Sequence, residues 1–288
     1  MNLEATISIS EIFGPVIQGE GALIGRPTVF VRTGGCDYRC SWCDTLYAVL
    51  PSFRSEWRRM NAREIMDEVA ILSSGHPILI TLSGGNPALQ SLDSLLDLGR
   101  ERGYAFALET QGSVARAWFS KLKYLILSPK PPSSRMATDW DALGECLAAG
   151  MSAEVIFKIV VFDEADYGFA RHVHARFPDV AMYLQPGNPT PDVVDAAPKV
   201  VDAAPKEVAL AMAESTSSRP MSTHGADWKV HARDNEPDLA TEHDAPGACE
   251  RAAAQLTWLL ERTARDGWND VTLLPQLHVL LWGNKRGV

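Results

Sequence analysis

The chain has 288 residues, 46% of them hydrophobic and 22% charged, with a net charge of −9. That length suits one barrel-sized α/β unit or two smaller ones with a substantial core. The acidic balance argues against a general nucleic-acid or membrane-surface binder, which needs a basic face.

No basic segment followed by an apolar stretch opens the chain, and no run of about 18 apolar residues occurs. A cytoplasmic protein with a small-molecule partner, no nucleic acid and no membrane is expected. Residues 7–13 alternate as a strand does and break at Gly14-Pro15. The polar, glycine-rich Ile17-Gln18-Gly19-Glu20-Gly21 follows, where the backbone can approach a ligand or simply turn. Residues 28–32 form an apolar strand ending in Arg32, a cation placed for a ligand carboxylate or for a surface ion pair.

Directly after it, Gly34-Gly35-Cys36-Asp37-Tyr38-Arg39-Cys40-Ser41-Trp42-Cys43-Asp44-Thr45 gathers three of the five cysteines into eight positions. Thiolates spaced C-x3-C-x2-C cannot complete one tetrahedral zinc without a fourth ligand, but each can hold one iron of a cubane and leave the fourth iron open. Ligand softness alone permits either metal. The spacing favours the cluster, with a Cys3His zinc knuckle, a redox-sensitive thiol cluster or an electron-carrier module as the alternatives. Clustered cysteines suit a reducing compartment better than a disulfide framework. Cys146 and Cys249 stand alone and read as small buried hydrophobes.

Segment 46–60 is irregular, and Trp57-Arg58-Arg59 is expected in solvent. Asn61 is placed to cap a helix over Ala62–Leu72 with Ile65, Val69 and Leu72 on one face. Residues 77–82 are apolar throughout, as in a strand buried on both sides, and end in Ser83-Gly84-Gly85-Asn86-Pro87 before a helix over 88–102. Strand 104–109 closes on Thr110-Gln111-Gly112-Ser113, and strand 124–127 on Ser128-Pro129-Lys130. A helix over 139–149, a strand over 154–161, a helix over 163–177 and a strand over 181–186 continue the series. Such alternation implies parallel strands joined by right-handed crossovers. About six units predict an α/β fold, a partial, modified (β/α)6 TIM-like barrel with its site at the carboxyl ends of the strands.

The period is lost over 189–247, where Val193-Val194-Asp195-Ala196-Ala197-Pro198-Lys199 recurs unchanged as Val200-Val201-Asp202-Ala203-Ala204-Pro205-Lys206. This predicts a disordered or low-complexity insertion within a single domain, with His224, His231 and His243 solvated. A helix over Ala248–Arg265 with Leu256, Leu259 and Leu260 inward follows, then an apolar C-terminal segment that must dock on the body. Its His278 is either a core histidine or a substrate contact closing the barrel mouth.

Taken together, Ile17 to Gly21, the strand ending in Arg32, the cysteine loop, Leu82 to Pro87, Glu109 to Gly112, Ser128 to Lys130 and Leu274 to His278 resemble one family. It is the 7-carboxy-7-deazaguanine synthase family of the radical S-adenosylmethionine superfamily, and the resemblance covers residues 1–187 and 248–288. It implies ring contraction of 6-carboxy-5,6,7,8-tetrahydropterin to 7-carboxy-7-deazaguanine with loss of ammonia, a carbon-nitrogen lyase step on the route to queuosine. By the same resemblance, Cys36, Cys40 and Cys43 hold a [4Fe-4S] cluster whose open iron chelates S-adenosylmethionine. An electron passed to that cofactor then leaves a 5'-deoxyadenosyl radical. Gly85, Ser128, Pro129 and Lys130, with Gln185 a weaker addition, are implied in binding S-adenosylmethionine; Ile17, Gln18, Gly19, Arg32 and Ser83 in binding the pterin. Thr45 is implied as the protein ligand of Mg2+, which completes its octahedron with water and substrate oxygens. A hydroxyl bonded back to its own loop is the alternative for Thr45. No acid-base residue is assigned. A homodimer and an electron donor such as flavodoxin or ferredoxin are also implied.

One departure stands out. Many superfamily members carry Gly-Gly-Glu-Pro where this chain has Gly84-Gly85-Asn86-Pro87, so Asn86 offers an amide oxygen and no carboxylate. The cysteine spacing is also shared with glycyl-radical activases, which act on a protein partner and would need an exposed apolar groove.

Overall fold

Apolar strands separated by amphipathic segments bury their surface by lying side by side under helices. In the computed structural model, which describes residues 5–188, 248–283 and 285–287, they do so in one nine-stranded sheet. Strand β1 (Thr6–Ile17) pairs antiparallel with β2 (Pro27–Thr33) and, on its other edge, with β3 (Arg58–Asn61). From β2 onward every pair is parallel: β4 (Leu79–Gly84), β5 (Ala105–Thr110), β6 (Tyr124–Leu127), β7 (Glu154–Val161), β8 (Ala181–Pro186) and β9 (Val271–Leu273) follow in that order. The connections carry α1 (Leu46–Val49), α2 (Ala62–Leu72), α3 (Asp93–Glu101), α4 (Trp140–Ala149), α5 (Glu164–Arg176) and α6 (Ala248–Arg265). Helix α7 (Leu277–Trp282) follows β9. This is the expected partial barrel of parallel strands.

Strand period and register decide where the site lies. Successive side chains point to opposite faces of a strand, and residues level with one another in a parallel pair point the same way. One set, Val29, Val31, Ile80, Leu82, Phe106, Leu108, Leu125, Leu127, Phe157 and Ile159, packs outward into the main core with Ile65 and Val69 of α2, Leu95 of α3 and Tyr167 of α5. The other set faces inward. Its lower part is a small apolar plug of Ala107, Tyr124, Ile126 and Ile156 with Leu23. Above the plug, toward the carboxyl ends, the same face turns polar with Arg32, Ser83, Glu109, Ser128, Lys158 and Gln185. Arg32 is level with Ser83, and Val160 with Gln185.

The helix over Ala62–Leu72 forms as expected, with Asn61 accepting from Arg63 N and Glu64 N while Glu64 reaches back to Asn61 N. Helices α4 and α5 are capped by Asp139 and Asp163. Four expectations change, besides the irregular 46–60 stretch, which carries α1 and most of β3. The first strand runs through Gly14-Pro15 to Ile17, with an irregular register between Phe13 and Val16 in place of a break. The helix expected over 88–102 splits into a 3-10 turn, Pro87–Leu89, and α3, because Gln90 is extended and its side chain reaches Ser8 N and Gly34 O. Trp57 is 8% exposed, its Nε1 donating to Tyr47 O and its ring lying against Gly34, so the tryptophan is not solvated. Leu260 is 59% exposed; the inward stripe of α6 runs instead through Leu259 and Thr263, with Trp258 packed on Tyr167. Cys146 is fully buried in α4, as expected of a lone apolar cysteine. The 189–247 segment, with its repeat and three histidines, and the side chain of Cys249 lie outside the described residues.

Candidate active site

The polar inward face opens on a cavity of about 240 Å3. Its wall carries Ile17, Gln18, Gly19, Arg32, Cys36, Cys40, Cys43, Thr45, Ser83, Gly85, Ser128, Lys130, Gln185 and His278, which is every site residue expected from the sequence except Pro129. Strand ends bring together segments about 260 residues apart because parallel strands all end on one rim.

The cysteine loop is fastened from below. Ser41 N and Oγ bond the carbonyls of Ser134 and Ser133, Trp42 Nε1 donates to Ser133 Oγ at 3.0 Å, and Tyr38 OH donates to Ala137 O at 2.8 Å. All three thiols are free. Burial, then the Asp37 charge, pushes the Cys36 thiol up to about 12; burial pushes Cys40 up to about 11 against the opposing pull of Lys130. Thiols this reluctant to ionise become thiolates only when a metal's positive charge replaces the proton. Among the described residues, no three His, Cys, Asp or Glu side chains converge on a single ion.

Behind the loop the glycine pair serves backbone packing. A Cβ on Gly85 would lie 2.0 Å from Gly35 O, and Gly84, at φ +124°, leaves its would-be Cβ 2.2 Å from Thr33 O. Strand β4 therefore approaches the start of the cysteine loop more closely than any side chain permits. Asn86 comes next and is 0% exposed. Its Oδ1 accepts from Thr110 Oγ1 at 2.9 Å and Ala88 N at 3.2 Å; its Nδ2 donates to Asp37 Oδ1 at 2.9 Å and Ser113 Oγ at 3.1 Å. Gln111 Nε2 and Ser113 Oγ complete the ring around Asp37 at 2.7 and 2.6 Å. Asn86 thus spends both donors and both acceptors inside the protein, and its oxygen does not face the cavity.

On the opposite side, Arg32 Nε donates to Glu11 Oε1 at 2.7 Å, and Glu11 also accepts from Tyr47 OH at 2.8 Å and Arg286 Nε at 2.9 Å. Burial would raise the Glu11 carboxyl, but Arg32, with the hydrogen bonds from Arg286 and Tyr47, holds it below the ordinary range. Arg32 therefore has an ion pair and a place on the cavity wall at once. Thr45 stands before α1 without capping it, its hydroxyl 3.7 Å from Cys43 Sγ. Gln185 is 1% exposed, and among the described residues neither its Oε1 nor its Nε2 has a partner, which leaves a buried amide on the cavity wall with its hydrogen-bonding capacity unspent there.

No family model matches the chain. The sequence is 37% identical over 288 residues to a 7-carboxy-7-deazaguanine synthase of Bacillus subtilis, covering 98% of each chain. It is 34% identical over 284 residues to the synthase of Bacillus cereus, covering 98% of this chain and 99% of the other. The chain belongs to the 7-carboxy-7-deazaguanine synthase family. In shape it is similar to the crystal structure of QueE from Escherichia coli, with a TM-score of 0.52 and 23% identity over 67% of this chain and 88% of that one. None of these relatives is a glycyl-radical activase, the alternative that the cysteine spacing had left open.

Sequence reasoning passed over part of the wall of this synthase-family cavity. Lys158, Glu20, Glu109 and Gln276 all line it and bond to one another, yet none was singled out as a site residue. Lys158 carried a readable signal: it is a lone cation among Val155, Ile156, Phe157, Ile159, Val160 and Val161, and a charge at the centre of a buried strand needs a partner. His278, on α7, meets the cavity with its ring against Gly19, where a Cβ would come within 2.4 Å of Nδ1; it is a mouth residue and not a core histidine.

Proposed function

We propose that this chain carries out the ring contraction of 6-carboxy-5,6,7,8-tetrahydropterin to 7-carboxy-7-deazaguanine with loss of ammonia, as a carbon-nitrogen lyase. One observation carries the reading: in a chain that matches the Bacillus synthases over nearly its whole length, three free thiols, Arg32 and the Gln18-Gly19-Glu20 loop share a single cavity.

The donor set fits the cofactors. Cys36, Cys40 and Cys43 would hold a [4Fe-4S] cluster, and the unspent amide of Gln185, with Ser128, Lys130 and the backbone at Gly85, would receive S-adenosylmethionine. When bound, the two supply the one-electron chemistry that removes a hydrogen atom from the substrate. Binding and orientation fall to the chain. Arg32, its Nε already committed to Glu11, is held in one orientation, and its remaining donors would take the substrate carboxylate. Ser83, level with Arg32 on the neighbouring strand, would add a hydroxyl, and Ile17, Gln18, Gly19 and His278 would close the mouth. Thr45 would present its hydroxyl to Mg2+, whose other ligands come from water and from the substrate itself. The stacked Phe13 and Phe30 rings, 5.1 Å apart, line the same cavity and would help exclude water. A flavodoxin or ferredoxin would deliver the electron, two chains would form the homodimer, and the enzyme would work in the cytoplasm; among the described residues no helix is long and apolar enough to cross a membrane. Oxygen-free, reconstituted protein given the tetrahydropterin, S-adenosylmethionine and a reductant is expected to yield a product with the mass and absorbance of 7-carboxy-7-deazaguanine. Intact cluster with no such product would refute the reading.

A further inference from the structure

On the cavity wall lies an ion cluster in which the proposed reaction gives no role to Lys158 or Glu109. Lys158, its side chain 5% exposed, donates to Glu109 Oε2 at 2.7 Å and to Glu20 Oε2. Gln18 Nε2 donates to Glu109 Oε1, Gln276 Nε2 donates to Glu20 Oε1 at 2.7 Å, and Gln18 Oε1 accepts from Glu20 N at 2.7 Å. Four carboxylate oxygens thus have one donor each. A carboxylate offers about four lone-pair sites, so each keeps acceptor capacity toward the cavity that both glutamates line. Two carboxylates against one ammonium leave this wall with one net negative charge. Arg32 lines the cavity apart from this cluster, as do Lys130 and Asp44 of the cofactor side.

That polarity matches a molecule with a carboxylate at one end and a row of N–H donors at the other. A carboxylated aminopyrimidinone ring system has that pattern. We propose that Lys158 is a positioning residue for substrate recognition, its ammonium aiming the Glu20 and Glu109 carboxylates at the N–H edge of the pterin while Arg32 takes its carboxylate. The inference rests on the substrate reading given above and adds the means by which the ring's far edge is read. Burial would lower Lys158 and raise Glu20, but Glu109 and Glu20 hold the ammonium above its usual range, and Lys158 with His278 holds Glu20 well below the carboxylate range. The groups facing Lys158 are Glu109 from β5, Glu20 and its neighbour Gln18 from the loop after β1, Tyr183 level with it on β8, and Gln276 and His278 from the C-terminal segment.

Lys158→Met keeps the stem and removes the charge. The two carboxylates then each lose a donor and face one another with no cation between them, so their oxygens turn away from the substrate's N–H edge. Losing one charge-assisted hydrogen bond weakens pterin recognition about tenfold or more. The expected result is a KM for the pterin raised by that factor with kcat largely kept, and iron and sulfide content like the parent's. A parent-like KM, or a loss confined to kcat, overturns the proposal. Should Lys158→Met fail to fold, the uncharged triple variant E20Q/E109Q/K158M is expected to fold, take up iron and sulfide, and bind the pterin at least about tenfold more weakly by equilibrium dialysis. Parent-like binding, or failure of that variant to fold as well, overturns the proposal. Parent protein inert toward the pterin counts against the proposed reaction; an active parent with an unchanged variant counts against the role of Lys158 alone.

Discussion

Asn86→Asp tests whether the residue at the motif's fourth position belongs to the cofactor or to the protein. The substitution preserves shape. It keeps the two bonds accepted from Thr110 Oγ1 and Ala88 N, loses the two donated to Asp37 and Ser113, and sets a carboxylate oxygen 2.9 Å from Asp37 Oδ1 where an N–H had been. Breaking a buried, charge-assisted arrangement in this way costs about 3–5 kcal/mol. In a chain of this size each kcal/mol moves Tm by roughly 2–4 °C, so a fall of about 10 °C is expected. Exchanging the pair, as D37N/N86D, restores one donor and one carboxylate in the same space, and Gln111 can present its amide oxygen to the new Asn; recovery of most of the loss is expected. Near-UV circular dichroism melts of the oxygen-free apoprotein measure both. Iron and sulfide content after reconstitution reports whether Cys36, next to Asp37 and 3.9 Å from Gln111 Nε2, keeps its place. An Asn86→Asp Tm within about 2 °C of the parent, or a double variant no better than the single, would refute the reasoning.

Three other predictions follow from the same geometry. Gly85→Ala is expected to abolish soluble cluster-bearing protein, since its Cβ meets Gly35 backbone, whereas Gly144→Ala, with nothing within 4 Å in the middle of α4, is expected to gain roughly 0.5–1 kcal/mol by thermal melt. Arg286→Ala releases the C-terminal tail from Glu11 and from the Tyr47 ring 3.7 Å away, so limited proteolysis should remove the tail faster at neutral pH. Because the Glu11 carboxyl is depressed in the fold, its contribution is present above its ordinary pKa of 4.5 and is lost as pH falls through the lowered value; parent and variant should therefore converge in strong acid, and divergence there would count against the latch. Thr45→Ala is expected to reduce stimulation by Mg2+ while leaving S-adenosylmethionine cleavage largely intact, and equal stimulation in both proteins would show that another group holds the ion.

The glycine pair and Asn86 show why a motif's chemistry is not its whole meaning. Read in the sequence, Ser83-Gly84-Gly85-Asn86-Pro87 is a ligand-binding turn with one residue out of pattern. In the fold, the glycines let β4 meet the cysteine loop backbone to backbone, and Asn86 ties Asp37 to Thr110 across that junction. An amide is needed because its surroundings demand two donors and two acceptors at one point, which no carboxylate supplies.

Much was already decided along the chain. Apolar runs alternating with 3.6-periodic segments dictate parallel strands and crossovers, and Asn61, Asp139 and Asp163 mark helix starts, because period and capping act over a few neighbouring residues. The cysteine spacing dictates three thiols in one short loop for the same local reason. Only the tertiary structure decided which polar residues share the cavity. Lys158 meets Glu20 and Glu109, Glu11 meets Arg32 and Arg286, and Gln276 meets Glu20 across 256 positions, since strand register and the docking of α7 bring them level. Buried charges must find partners, and those partners are chosen by the sheet's geometry and not by distance along the sequence.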